Sequence, residues 1–115
     1  MNNLIRPAMY SAWHQPILTK NSLNNEKNDV KYDIVGPICE SSDIFCKNVY
    51  LSRFAKEDDC IAFLNAGAYG RSMSSLYNLN DIAGELMIDD EMVYSISKAI
   101  CWKDLIQFED GVINI

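Results

Sequence analysis

Residues 36–43, with the sequence GPICESSD, form a polar turn that separates two apolar segments and so constrains the path of the whole chain. Pro37 fixes its own φ and biases Gly36 toward an extended conformation, so that the chain enters the turn stiffly. Ser41 and Ser42 are of the type that bonds nearby backbone N–H groups, and we expect them to hold the turn compact. The pattern therefore predicts two strands joined by this turn.

The segments on both sides have the composition of β-strands. In residues 30–38 the alternation places Tyr32 and Ile34 on one face. Residues 44–51 form a second short apolar segment, interrupted by Lys47 and Asn48. Both segments therefore predict strands.

The rest of the chain continues this short-strand pattern. Strands are predicted at 9–18, at 60–64 as a continuous apolar run buried on both faces, and as a hairpin of 85–89 with 92–96. A polar loop is predicted at 19–29 and a short helix at 102–108. Together these elements predict an all-β domain, a sandwich or a Greek-key barrel.

Length and charge limit the function classes that remain. The 115 residues fit one domain, and a net charge of −6 with scattered basic residues argues against nucleic-acid binding. No apolar run approaches the roughly 20 residues of a membrane helix, and the first residues have no secretory signal pattern. Four cysteines without CxxC spacing and a single histidine, His14, disfavour a zinc site. We therefore expect a cytoplasmic protein with free thiols and no bound metal.

Four local features carry candidate chemistry. They are Arg6 with Tyr10, Cys39 with Glu40, Tyr69 between two glycines, and the serine-rich residues 72–75. The arginine fork suits a carboxylate, but an Arg-Pro pair is more often a plain surface feature, and a polar turn more often has no chemical role. The acidic neighbour of the cysteine disfavours the thiolate, which argues against a nucleophile. From these residues alone, both the structural and the functional interpretation stay open.

Three sequence blocks carry a resemblance to a known family. They are RPAMY at residues 6–10, VGPICESSD at 35–43, and AGAYG at 66–70 followed by SMSS at 72–75. Together they resemble the pyridoxal-phosphate amino-acid decarboxylases of the alanine racemase-like fold, and within them the diaminopimelate decarboxylases. The order and approximate spacing of the blocks match this family over residues 1 to about 108.

The resemblance implies a C-terminal β domain spanning residues 1–115, with residues 1–12 as a barrel-edge segment and first strand. Its partners would be a (β/α)8 barrel, which supplies the cofactor lysine, and a second subunit across a two-fold interface. The cofactor would be pyridoxal 5′-phosphate and the substrate a small-molecule amino acid. No lysine of this chain is expected to replace the one in the barrel.

The resemblance also implies a role for individual residues. Arg6 and Tyr10 stand where the family binds a substrate carboxylate, and Tyr69 stands where a hydroxyl meets the cofactor phosphate. Cys39 and Glu40 stand where one subunit reaches into its partner's site, the thiol to return a proton and the acid to bind the distal amino group. A neutral thiol suits such a proton donor.

The resemblance leaves more than one function open. The first residues read as the middle of an element, so we expect a portion of a diaminopimelate decarboxylase that is inactive alone. The alternatives are a non-catalytic β interaction domain and the product of a decaying gene.

Overall fold

Antiparallel strand pairs dominate the computed structural model, which describes residues 1–19 and 27–107. Within these residues, three two-stranded sheets pair β1 with β4, β2 with β3, and β5 with β6. The strands are β1 (Pro16–Leu18), β2 (Asn28–Val35), β3 (Ile44–Ser52), β4 (Ile61–Phe63), β5 (Glu85–Asp89) and β6 (Met92–Ser97). The helices are α1 (Arg6–Tyr10), α2 (Gly70–Met73) and α3 (Trp102–Ile106), with a 3₁₀ turn at Tyr77–Leu79.

The β2–β3 hairpin confirms the two strands predicted around residues 36–43. Tyr32 and Ile34 turn toward the core, as the alternation predicted. The polar pair Lys47 and Asn48 does not end β3 but forms a bulge, with Asn48 in the left-handed region at φ 55°. The Asp33 carboxylate accepts the Asn48 N–H at 2.8 Å, so a local bond satisfies the backbone where the ladder is interrupted.

The core lies on the inner face of β3. Its buried residues are Cys46, Val49 and Leu51, and partly buried aromatic and aliphatic side chains from β2 and β4 pack against them. The rings of Phe45 and Phe63 lie 5.0 Å apart between centroids and join β3 to β4. The core thus ties the hairpin to the β1–β4 pair, whose first strand also contacts β3.

The β5–β6 hairpin is the pair predicted from its acidic turn, and it is exposed on both faces. The cross-strand pairs run from Glu85 opposite Ser97 to Asp89 opposite Met92, and Asp90 lies in the turn with φ 50°. Arg71 of α2 anchors its base, donating to Ala83 O at 2.6 Å and to Lys98 O at 3.4 Å. Within the described residues these two bonds help to fix the base of the hairpin.

Two predicted elements differ from the structure. The predicted strand at 9–18 is wrong over its first part, because residues 6–10 form α1 and only Pro16–Leu18 is strand. Pro7 lies in the first helical turn, where its missing N–H costs nothing, so the Arg-Pro pair is compatible with the start of a helix. The strand predicted at 60–64 exists as β4 over Ile61–Phe63, but the prediction that it is buried on both faces is wrong, because Ile61 and Leu64, near the two ends of the apolar run, are exposed.

The remaining predictions concern the loops and the C-terminal helix. The loop predicted at 19–29 falls mostly outside the described residues, and β2 already begins at Asn28. The predicted helix at 102–108 is confirmed as α3 over Trp102–Ile106; residue 108 is outside the described range. The all-β class is confirmed, and the described strand pairs do not join into a closed barrel. No helix in the described ranges is long and apolar enough to cross a membrane.

Candidate functional site

Arg6, Tyr10 and Tyr69, predicted from separate sequence blocks, line one cavity of about 260 Å³ together with Met73. The Arg6 guanidinium carbon lies 5.8 Å from the centroid of the Tyr69 ring, a cation–π arrangement. Tyr10 and Tyr69 are both exposed. The structure therefore brings three of the five predicted site residues together around an open cavity; we refer to it as the Arg6–Tyr69 cavity.

The β1–β4 ladder explains why these distant residues meet. Pro16 pairs with Phe63, and the Leu64 N–H donates to Gln15 O at 2.9 Å, which extends the pairing outward by one residue. His14 continues it, with Nδ1 3.3 Å from Leu64 O. Chain segments that continue beyond the same end of an antiparallel ladder stay adjacent, so α1 and the residues after β4 are held side by side.

The backbone around Tyr69 is unusual for an aromatic residue. Tyr69 has φ 61° and ψ 0°, in the left-handed region, immediately before α2. A non-glycine residue in this region carries a conformational cost that neighbouring structure must offset. A Cβ added at Gly67 or Gly70 would meet nothing within 4 Å in the described chain. The glycines thus leave open space around an exposed phenol instead of relieving a clash in this domain.

Arg6 has no ion-pair partner within residues 1–19 and 27–107, although it is half-buried. Its guanidinium can therefore take a carboxylate or a phosphate from outside the described chain. The family resemblance implies pyridoxal phosphate, whose phosphate group needs hydrogen-bond donors and positive potential. An exposed tyrosine hydroxyl beside an unpaired guanidinium and two open glycines fits that group.

The second part of the site is the 36–43 loop, and Asp43 organises it. Its buried carboxylate accepts the Ile38 N–H at 2.7 Å and also pairs with the N-terminal ammonium of Met1. Its main chain closes the loop, accepting the Gly36 N–H at 2.9 Å. The prediction that Ser41 and Ser42 hold the turn is wrong: within the described residues neither hydroxyl bonds the loop backbone, because the Asp43 carboxylate already occupies that role.

Cys39 and Glu40 project from this loop into solvent. Both are exposed, and neither lines the Arg6–Tyr69 cavity among the described residues. Glu40 Oε1 accepts a hydrogen bond from the Tyr77 hydroxyl at 2.6 Å. This bond, and the negative charge of Glu40, raise the pKa of Tyr77 above its ordinary value. The five predicted site residues therefore divide into two separate clusters, Arg6–Tyr10–Tyr69 and Cys39–Glu40.

Two residues of these clusters were not predicted as site residues. Met73 lines the cavity and Tyr77 bonds Glu40. Met73 lies inside the serine-rich block that the sequence singled out, so a signal for it existed. Tyr77 lies just after that block, but its role was not predicted, because its contact with Glu40 joins residues 37 positions apart and depends on how two loops meet.

Comparison with known proteins identifies one family that this chain is similar to. The family model described as "Pyridoxal-dependent decarboxylase, C-terminal sheet domain" matches residues 1–67. Diaminopimelate decarboxylase of Zymomonas mobilis is 37% identical over 112 residues, covering 97% of this chain and 25% of that protein. The Haemophilus influenzae diaminopimelate decarboxylase is 39% identical over 112 residues, covering 97% and 26%. The chain thus spans about a quarter of the length of these relatives.

Solved structures show the same similarity. Diaminopimelate decarboxylase from Helicobacter pylori, complexed with L-lysine, superposes with a TM-score of 0.83 at 36% identity, covering 95% of this chain and 26% of that one. The M. jannaschii diaminopimelate decarboxylase in co-complex with L-lysine gives a TM-score of 0.85 at 33% identity, covering 97% and 25%. Fold and sequence similarity therefore extend over nearly the whole of this chain.

Proposed function

Because the chain belongs to the pyridoxal-dependent ornithine, diaminopimelate and arginine decarboxylases, through their C-terminal sheet domain, we propose that it forms part of a diaminopimelate decarboxylase. The reaction converts meso-2,6-diaminopimelate to L-lysine and carbon dioxide. The observation that carries the proposal is the convergence of Arg6, Tyr10 and Tyr69 on one cavity, in a chain similar to enzymes of this name.

Arg6 and Tyr10 bind a carboxylate of the substrate in this proposal. The support is that the half-buried Arg6 has no ion pair among the described residues, while its guanidinium faces the cavity beside two exposed phenols. A bidentate arginine–carboxylate pair fixes orientation as well as position. The carbon–carboxylate bond that breaks is then held in one direction, which is how binding assists a decarboxylation.

Tyr69 holds the phosphate of pyridoxal 5′-phosphate through its hydroxyl. Bound pyridoxal phosphate supplies an acceptor for the electron pair left when carbon dioxide departs. The exposure of Tyr69 and the open space at Gly67 and Gly70 support the assignment, since both leave room for a phosphate beside the phenol. The family's covalent attachment is attributed to a lysine of a barrel, so we expect these 115 residues alone to be inactive.

Cys39 and Glu40 act in a second active site, that of a partner subunit. The support is that neither lines the Arg6–Tyr69 cavity and that both project from a loop stabilised from behind by Asp43. The Cys39 thiol returns a proton to the carbon that has lost its carboxylate, with the proton leaving Sγ. The Glu40 carboxylate binds the distal ammonium of the substrate.

The partners that complete this picture are a (β/α)8 barrel and a second copy related by a two-fold axis. Residues 1–115 then act as one C-terminal β domain, with residues 1–12 at the barrel edge. The similarity over nearly the full chain supports a single domain. The proposed location is the cytoplasm, which cell fractionation with an antibody to the chain tests.

A chimeric enzyme tests the function directly. In the Haemophilus influenzae relative, the segment that matches this chain is replaced by residues 1–115, and lysine formation from diaminopimelate is measured. We expect activity in the chimera, none in the isolated chain, and a large loss in Arg6→Gln. Arg53→Gln is the matched control, because that arginine pairs with Asp29 on β2 and is remote from the cavity lining.

The outcomes separate the parts of the proposal. A soluble, folded chimera without lysine formation would reject the function. An active chimera that tolerates Arg6→Gln as well as Arg53→Gln would retain the activity but reject the carboxylate site. Decarboxylation of ornithine or arginine in place of diaminopimelate would correct the substrate.

A further inference from the structure

The bond between Tyr77 and Glu40 deepens the proposed function, on which this inference rests. We infer that Tyr77 is a positioning residue: its hydroxyl holds Glu40 Oε1, so that Oε2 is presented to the distal ammonium of the substrate. The two side chains come from different loops, 37 residues apart, and the O–O distance of 2.6 Å is that of a charge-assisted hydroxyl–carboxylate bond.

The backbone that carries Tyr77 is fixed more firmly than its exposure indicates. Asn80 donates to the Tyr77 carbonyl twice, from its main-chain N–H and from Nδ2, each at 3.2 Å. The segment is tied in turn to the chain start, where Asn2 O accepts the Ser75 N–H at 2.9 Å and Asn2 Nδ2 donates to Asp81 O at 3.0 Å. Because this backbone is fixed, only the two side-chain torsions of Tyr77 remain to be restrained.

The Glu40 side chain, by contrast, has more conformational freedom to restrain. It is exposed at the tip of the 36–43 loop, and a glutamate side chain has three torsions that move freely in water. Within the described residues the Tyr77 bond is the one hydrogen bond to its carboxylate, and it engages Oε1 alone. The restraint therefore reduces the entropy cost of binding an ammonium while leaving an acceptor oxygen free. The raised pKa of Tyr77 agrees with this, since the phenol must stay protonated to donate.

The first test measures the positioning on the 115-residue chain itself by ¹³C NMR. Tyr77→Phe is expected to shift the Glu40 carboxyl resonance and average its side-chain couplings. Tyr94→Phe, a tyrosine of similar exposure on β6, is the matched control and is expected to leave Glu40 unchanged. In the wild type, Tyr77 should lose its proton above the ordinary tyrosine range, and Glu40→Gln should bring that midpoint back. An unchanged Glu40 resonance in Tyr77→Phe would overturn the inference.

The second test places the same changes in the chimeric enzyme and separates KM from kcat. Tyr77→Phe is expected to raise KM for diaminopimelate about fivefold, the loss of one modest hydrogen bond, with kcat within about twofold. Glu40→Gln is expected to raise KM further, and Tyr94→Phe to change neither constant. A large effect of Glu40→Gln on KM with none of Tyr77→Phe would overturn the positioning role of Tyr77 and leave the proposed role of Glu40 in place. No effect of Glu40→Gln would reject the proposed role of Glu40, and the NMR result would still decide whether Tyr77 holds it.

Discussion

The carboxylate of Asp43 occupies the space that a side chain on Gly36 would need. A Cβ built at Gly36 would lie 2.6 Å from Asp43 Cγ and even closer to both carboxylate oxygens. The glycine is therefore required by sterics at a negative φ, not by a left-handed backbone. This contact makes the first and last residues of the GPICESSD block interdependent, which a reading of the turn residues one at a time does not show.

Gly36→Ala should destabilise the domain by about 1 to 3 kcal/mol, since either Asp43 or the backbone must move to admit a methyl group. The measurement is urea unfolding followed by circular dichroism. Gly67→Ala is the matched control, because a Cβ there meets nothing within 4 Å in the described chain. Equal unfolding midpoints for the two variants would contradict the steric argument.

Asp43→Ala should cost about 1 to 3 kcal/mol by a different route, because it leaves the buried Ile38 N–H without its acceptor. Asp43→Asn should cost less, since the amide oxygen can still accept that hydrogen. Glu57→Ala, at an exposed acid, serves as control for the loss of one carboxylate. The urea midpoint is expected to fall from wild type to Asp43→Asn to Asp43→Ala. An Asn variant with a midpoint as low as that of the Ala variant would show that the charge of Asp43, and not its hydrogen bond, stabilises the domain.

Arg53 and Asp29 should give a pH-dependent contribution to stability. Arg53 Nε donates to Asp29 Oδ2 at 2.8 Å, and this bond lowers the pKa of Asp29 below its ordinary value. A depressed carboxyl pKa contributes stability that is present above the unfolded pKa of about 4 and is lost as pH falls through the folded value.

The difference in urea midpoint between wild type and Arg53→Gln should therefore be positive at pH 7 and shrink toward zero on acidification. The pair is solvent-exposed, so the difference should also shrink in high salt. Lys47→Gln, which removes a positive charge from the exposed side of β3, should show a smaller difference at pH 7. A difference that stays constant from pH 7 down to pH 2 would contradict the ion-pair explanation.

The thiols of Cys39 and Cys46 should react at very different rates with a disulfide reagent. Cys39 is exposed, whereas Cys46 is buried in the core, where burial and the nearby Asp33 carboxylate raise the pKa of its thiol. Less thiolate and less access both slow the reaction. At pH 8 we expect Cys39 to be modified in the native state and Cys46 only on unfolding, as peptide mass spectrometry would show. Rapid native labelling of Cys46 would contradict the described core.

The β5–β6 hairpin should make the isolated chain self-associate, because its apolar side chains are exposed on both faces. Leu86 and Ile88 are 68% and 74% exposed, and Val93 and Ile96 on the partner strand are similarly open. Light scattering should show mass increasing with concentration, and Ile88→Lys should reduce it. Val35→Lys, at an exposed apolar residue of β2, is the control. A stable monomer at all concentrations would favour an independent module.

Local sequence patterns predicted the elements whose partners are close along the chain. The β2–β3 and β5–β6 hairpins follow from alternation and turn residues, and α3 from its helical spacing. The helix at Arg6–Tyr10 was missed because five residues show no clear period. The exposure of β4 was missed because an apolar run does not reveal whether a second layer covers it.

The site residues show the same difference between local patterns and distant contacts. Arg6, Tyr10 and Tyr69 were predicted from blocks whose composition is distinctive, and the structure adds that they share one cavity. Tyr77 was missed because its role depends on a contact between two loops. Loop–loop contacts leave no period and no spacing in a sequence.

The pairing of β1 with β4 also has a kinetic consequence. Pro16 and Phe63 are far apart in sequence, so closing this ladder costs more chain entropy than forming either hairpin. The hairpins can thus form early, while Arg6 and Tyr69, which lie beyond the same end of the ladder on its two strands, meet only when the slow closure is complete. Formation of the Arg6–Tyr69 cavity would then come later than the appearance of the β-sheet signal of the two hairpins.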